Sequence, residues 1–128
     1  MITSPVLTAW RTGDIGALAA AVSDDVVFSS PVTDYRGRDA ALHILGLIGE
    51  VVEEPGPIRE RSENSDVFHR FAAHIGGGEV EGVLHEERDS TGHLVHITLF
   101  LRPYAALRTA MAAMRALLEH SPLPARSE

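Results

Sequence analysis

The sequence predicts an α+β domain in which a curved, mixed or antiparallel sheet wraps around the N-terminal and middle helices, with one more helix at the C-terminus. Two observations carry this. Helical and extended patterns follow one another as helix, helix, strand, helix, four strands and helix, so helices precede a long antiparallel meander. Two turn signals, Gly77-Gly78 and "DSTG" at 89–92, then align three strands so that their apolar residues share one face.

Ser4-Pro5 opens the first helix, a capping hydroxyl followed by proline at the first helical position, with Val6, Leu7 and Trp10 as its buried side. In "TGD" (12–14), Gly13 suits a left-handed C-terminal cap, and Asp14 an N-cap for a short second helix carrying Ile15, Leu18 and Val22. "DDVVFSSPVTDYRG" (24–37) is an extended stretch interrupted at Pro31 and closed by a turn at Gly37. Residues 38–53 place Leu42, Leu45, Gly49 and Val52 at helical spacing, and "EEPGP" (53–57) stops that helix. "IRERSENSD" (58–66) is a polar strand whose charges suit a sheet edge. Strands follow at 66–75, 79–88 and 93–103. Pro103 opens a last helix with Leu107, Met111, Met114 and Leu118 along one stripe.

With 128 residues the chain is one ordinary domain, expected over 1–120, with "SPLPARSE" (121–128) as a flexible tail. A hydrophobic content of 45% with only 5% aromatics predicts an aliphatic core. Eleven Lys+Arg against 18 Asp+Glu, a net charge of -7, argue against nucleic acid and against an anionic membrane surface, both of which need basic patches. There is no cysteine, hence no disulfide framework and no thiolate chemistry. "MITSPVLTAW" lacks a basic segment followed by an apolar run, so no signal peptide is expected and the cytoplasm is the expected compartment. No apolar stretch approaches the ~20 residues of a membrane span.

The turns set a register. Centred on Gly77-Gly78, the first hairpin opposes Ile75 to Val80, Ala73 to Gly82, Phe71 to Leu84 and His69 to Glu86. The second, closed by Arg88 and His93, opposes Leu84 to Ile97 and Glu86 to Val95. One face is then apolar in three rows and carries Glu86 beside His69 in the fourth. The other face is mixed: Phe68, Ala72, Val83, Leu94, Thr98 and Phe100 among charges, with Arg70, His85 and His96 in one row. A one-residue slip in either turn would exchange these faces.

Three stretches, "AWRTGDIGALAAAVSDDVVFSSPVTDYRGRDA", "GGGEVEGVLHEERDSTGHLVHI" and "LFLRPYAALRTAM", resemble the NTF2-like superfamily, especially the SnoaL-like group with its ketosteroid isomerases and limonene epoxide hydrolases. The resemblance runs from Val6 to about Leu118 and is specific for the fold but weak for chemistry. It implies a cone, a curved sheet around a deep pocket closed by helices, and a homodimer formed through the outer, mixed face. Ketosteroid isomerases use an Asp base with a Tyr and a protonated Asp as oxyanion donors. The corresponding positions here are Ser30 (before Pro31-Val32), Val6 and Leu84, so steroid isomerisation by that mechanism is not expected. Nor is the epoxide hydrolases' Asp-Arg-Asp set present, since the apolar face carries no Arg and one carboxylate.

Glu86 and His69 are the candidate catalytic pair. An apolar surround penalises a lone carboxylate and an adjacent imidazolium favours it, so the two can hold a proton between them at the pocket mouth. The competing reading makes Glu86 a solvated rim charge and His69 a packed strand residue. Trp10, Ser30, Phe71, Leu84, Ile97 and Leu99 are the expected pocket lining. Ser30 has the competing reading of a backbone-bonded strand-end hydroxyl, and turn chemistry accounts for Asp34. No metal and no cofactor is expected: His74, His85 and His96 show no ligand spacing, Arg70 stands beside two of them, and no helix follows "GGG" (76–78) as a phosphate loop would require. Three readings stand. The chain is a pocket protein that binds an apolar small molecule with isomerase, cyclase or hydrolase chemistry, or a non-catalytic ligand-binding or accessory dimeric module, or a structural dimer whose cone is filled by its own side chains.

Overall fold

A computed structural model describes residues 3–124. The elements run α1 (Pro5–Thr12), α2 (Ile15–Ala21), β1 (Val22–Ser29), β2 (Asp34–Arg36), α3 (Arg38–Val51), β3 (Glu53–Glu63), β4 (Asp66–Ile75), β5 (Gly78–Arg88), β6 (Leu94–Arg102) and α4 (Tyr104–His120). The caps read from the sequence form. Ser4 Oγ accepts from Leu7 N at 3.0 Å, Gly13 takes φ 79°, and Asp14 accepts from Ala17 N at 3.1 Å.

The six strands form one curved, open sheet in the order β2-β1-β6-β5-β4-β3. All neighbours are antiparallel except β1 and β6, which makes the sheet mixed. The 24–37 stretch divides into β1 and β2, because the Ser30–Thr33 turn folds it back on itself. "EEPGP" belongs to β3, which lies at the sheet edge; the register breaks twice around its prolines.

Except at the start of β6, where Leu94 changes side, the predicted faces hold, but the predicted partners do not. Gly76 and Gly77, at φ 58° and 81°, are the central pair of the first turn, which is the geometry a type I′ hairpin requires. Every β4–β5 pair is therefore displaced by two residues: Phe71 opposes Gly82, His69 opposes Leu84, and Glu86 opposes Val67. Between β5 and β6, Leu84 opposes Leu99 and Glu86 opposes Ile97. A shift of two keeps each side chain on its own face. The pairing then steps from Glu87/His96 to Arg88/Leu94, skipping Val95 as a β-bulge does. Leu94 consequently turns into the core, fully buried, and leaves the outer face on which the sequence pattern puts it. The outer row of Arg70, His85 and His96 does not form either: Arg70 opposes Val83, and His85 opposes Phe68 and Thr98.

One core joins the helices to the concave face. Trp10 meets Phe71 edge-on at 5.8 Å, and its indole N–H donates to Leu45 O at 2.9 Å. The expected tail is held at its start, where His43 Nε2 donates to Ser121 O at 2.6 Å. Its end, 125–128, lies outside the described residues. No helix among the described residues is long and apolar enough to cross a membrane.

Candidate functional site

Helix α4 packs through its smallest side chains. Ala106 and Ala110 are its buried residues, while Leu107, Met114 and Leu118 are only partly covered. Small residues at the contact leave room beside them. A cavity of about 450 Å³ opens between α4, α3, the ends of β4 and β6, and the Ser30–Tyr35 turn. Its walls are Ile44, Ile48 and Val51 of α3, Ile75, Leu99 and Leu101 of the sheet, and the α4 stripe of Leu107, Met111, Met114 and Leu118. This volume is within the ~300–1,000 Å³ of small-molecule sites. The polar side chains on its border are Ser30, Tyr35, Arg115 and Glu119.

These polar groups differ in what they can offer. The Ser30 hydroxyl donates to Thr33 O at 2.9 Å and accepts from Val32 N at 3.1 Å and Thr33 N at 3.0 Å. Its proton and lone pairs are committed to the turn. Tyr35 stacks on Phe28, with ring centroids 6.2 Å apart and planes 17° from parallel. Burial pushes the Tyr35 phenol above its ordinary value of 10.0, so it stays a neutral donor and acceptor.

Glu86 and His69 meet elsewhere. Both are buried on the concave face, with Glu86 Oε1 3.1 Å from His69 Nε2 but off the line of a hydrogen bond. Glu86 Oε2 accepts a 2.6 Å hydrogen bond from Ser4 Oγ, the cap of α1, and Arg88 Nη2 lies 3.9 Å from Oε1. On its other side His69 Nδ1 is 4.0 Å from Glu60 Oε2. Neither Glu86 nor His69 borders the cavity. The pair is sealed under the start of α1 rather than placed at a pocket mouth.

Of the expected lining, Ser30 and Leu99 border the cavity. Phe71, Leu84 and Ile97 are filled core with no exposed surface, and Trp10 borders a second hollow between α1 and α3. Sequence reasoning missed Tyr35 and the apolar wall of α3. The signal for the wall was the α4 stripe itself, since two methionines along it mark a surface that adapts to what it covers.

No family model matches the chain, and no curated protein does. Solved structures do. An uncharacterised protein with a cystatin-like fold from Silicibacter pomeroyi superposes with a TM-score of 0.84 at 25% identity, over 90% of this chain and 83% of that one. A steroid delta-isomerase from Pseudomonas aeruginosa gives 0.80 at 22% identity, over 94% and 97%. An LEH-like epoxide hydrolase from M. tuberculosis gives 0.62 at 20% identity, over 91% of both chains. The chain has the NTF2-like, cystatin-like fold. Within this NTF2-like scaffold Val6 and Leu84 are fully buried apolar residues, and Ser30 is a turn hydroxyl.

Proposed function

We propose that this chain is a binding protein for an apolar small molecule, held between α3, α4 and the sheet, with the Tyr35 hydroxyl as its polar handle. The apolar cavity of about 450 Å³ is the observation that carries the reading. An apolar ligand entering it would cover exposed Met111 and Val32 and complete the packing of α4, which its alanines leave thin. The half-buried phenol supplies one hydrogen bond, enough to orient a ligand with a carbonyl or hydroxyl at one end. The Glu86–His69 pair, outside the cavity, serves the scaffold in this reading.

Fluorescence of an apolar naphthalene probe, displaced by steroids, terpenoids and long-chain alcohols, tests this. Saturable binding to one site per chain is expected. Ala110→Trp, which fills the cavity from α4, should weaken it at least tenfold without loss of cooperative unfolding. Tyr35→Phe should weaken carbonyl or hydroxyl ligands about five- to tenfold, the value of one hydrogen bond, and leave hydrocarbons unaffected. Because burial raises the Tyr35 ionisation, that difference should persist through neutral pH, and for carbonyl ligands, which need the phenol O–H as donor, it should fade only above about pH 10. Binding that survives Ala110→Trp unchanged, or no saturable binding, would overturn the reading.

A further inference from the structure

The outer face of the sheet holds a second cluster, unconnected with the cavity. Asp66 opens β4 directly opposite Glu87 of β5, and Glu87 in turn opposes His96 of β6. Two carboxylates facing each other across a ladder repel, unless a cation lies between them. His85, two residues before Glu87 and on the same face, sends Nε2 to 3.4 Å from Asp66 Oδ2 and Nδ1 to 4.0 Å from Glu87 Oε2. One ligand atom from each of Asp66, His85 and Glu87 lies within 4.8 Å of the others. His85 Nε2 is a buried nitrogen that makes no hydrogen bond.

We propose that Asp66, His85 and Glu87 bind a divalent transition-metal ion of zinc-like preference. An imidazole among two carboxylates suits zinc, cobalt or nickel, whereas magnesium and calcium prefer oxygen alone. Ligand atoms around tetrahedral zinc stand about 3.3 Å apart, given bonds of about 2.0 Å. The Asp66–His85 Nε2 edge already has that length, and the ligand atom of the partly exposed Glu87, within 4.8 Å of the other two, draws in to complete the triad. The surroundings match what such sites need outside the ligands. The Phe68 ring stacks on His85 at 4.1 Å and 14°, shielding the imidazole and fixing its plane. His96 stands with Nδ1 3.4 Å from Glu87 Oε2 while its Nε2 is held 2.9 Å from Ser29 Oγ, so it positions the Glu87 carboxylate. Three protein ligands leave a fourth position open to solvent. Two grounds spoke against a metal in the sequence: the histidines show no ligand spacing, and an Arg70 guanidinium stood beside two imidazoles in the expected register; the second is a matter of register. The true register removes it, and Arg70 pairs with Glu81 at 3.3 Å instead.

The test uses the full-length, untagged chain after chelation, titrated with Zn²⁺ by calorimetry and with Co²⁺ by visible absorption. One equivalent per chain at micromolar affinity or tighter is expected, with the intense Co²⁺ bands of a four-coordinate site. His85→Gln, Asp66→Asn and Glu87→Gln should each weaken it at least tenfold. His96→Gln should weaken it less and keep the stoichiometry, and His74→Gln should change nothing. Zn²⁺ should also raise the melting temperature of the unaltered chain and not that of His85→Gln, which separates lost binding from lost folding. No saturable equivalent, or an equivalent retained in both His85→Gln and Asp66→Asn, would overturn the site and leave an imidazolium bridging two carboxylates.

Discussion

Glu86 shows how one residue's role depends on a partner far along the chain. A carboxylate with no exposed surface must be paired or hydrogen-bonded, because desolvation otherwise costs several kcal/mol. Here the partners come from three places: Ser4 at the head of α1, His69 on β4 and Arg88 further along β5. Ser4 thereby does two jobs, accepting from Leu7 N as a helix cap and donating to Glu86 as a tie between helix and sheet. Glu86→Ala would leave the Ser4 hydroxyl without its acceptor and His69 without the carboxylate beside it, and it should cost about 3–5 kcal/mol in urea unfolding. Glu86→Gln keeps an acceptor for Ser4 and should cost about 1–2 kcal/mol. Neither should alter ligand affinity in the cavity, and a large affinity loss at unchanged stability would mean that the pair acts on ligand after all. The cap at Ser4 was legible from Ser4-Pro5 alone. The bond to Glu86 was not, since it joins positions 82 residues apart and no local pattern records it.

At the scale of the element, what was legible and what was not divide along parity. Three consecutive glycines offer two choices of central turn pair, and these differ by two residues in strand pairing. Alternation along β4, β5 and β6 therefore sorted the faces whichever pair was chosen, while the partners depended on backbone φ at Gly76 and Gly77. The bulge at Val95 left no trace in the alternation, and Leu94 was assigned outward for that reason. The corrected pairing explains Gly82. Phe71 opposes it, and the ring lies where a Cβ on residue 82 would project, with Leu101 Cδ2 3.0 Å from the same point. Gly82→Ala should therefore overpack the concave face and cost about 1–3 kcal/mol. Phe71→Leu, destabilising alone, should recover part of that cost when combined with it, because the clash is with the ring. Strictly additive effects in that double-mutant cycle would show that the ring is not the obstacle.

The cavity and the metal cluster were illegible for reasons that belong to the whole molecule. Both depend on where α4 docks and which strands become neighbours, which spacing within any one element does not record. The outer sheet face is the remaining feature at this scale. Phe100 and Phe68 are 56% and 38% exposed there, with Val83 and Thr98 between them and the Arg70–Glu81–Arg102 charges alongside. We expect two copies to pair through this face, as the mixture of apolar and charged groups suits a semi-polar interface. Light scattering at micromolar concentration should then give twice the chain mass, and Phe100→Glu should return it to one. The row of Arg70, His85 and His96 read from the sequence would load this face with positive charge, but each group meets a carboxylate of its own chain: Arg70 lies 3.3 Å from Glu81, His85 3.4 Å from Asp66 and His96 3.4 Å from Glu87. The face therefore carries no unpaired row of like charge to hold two copies apart, and a single chain mass throughout the micromolar range would remove the pairing.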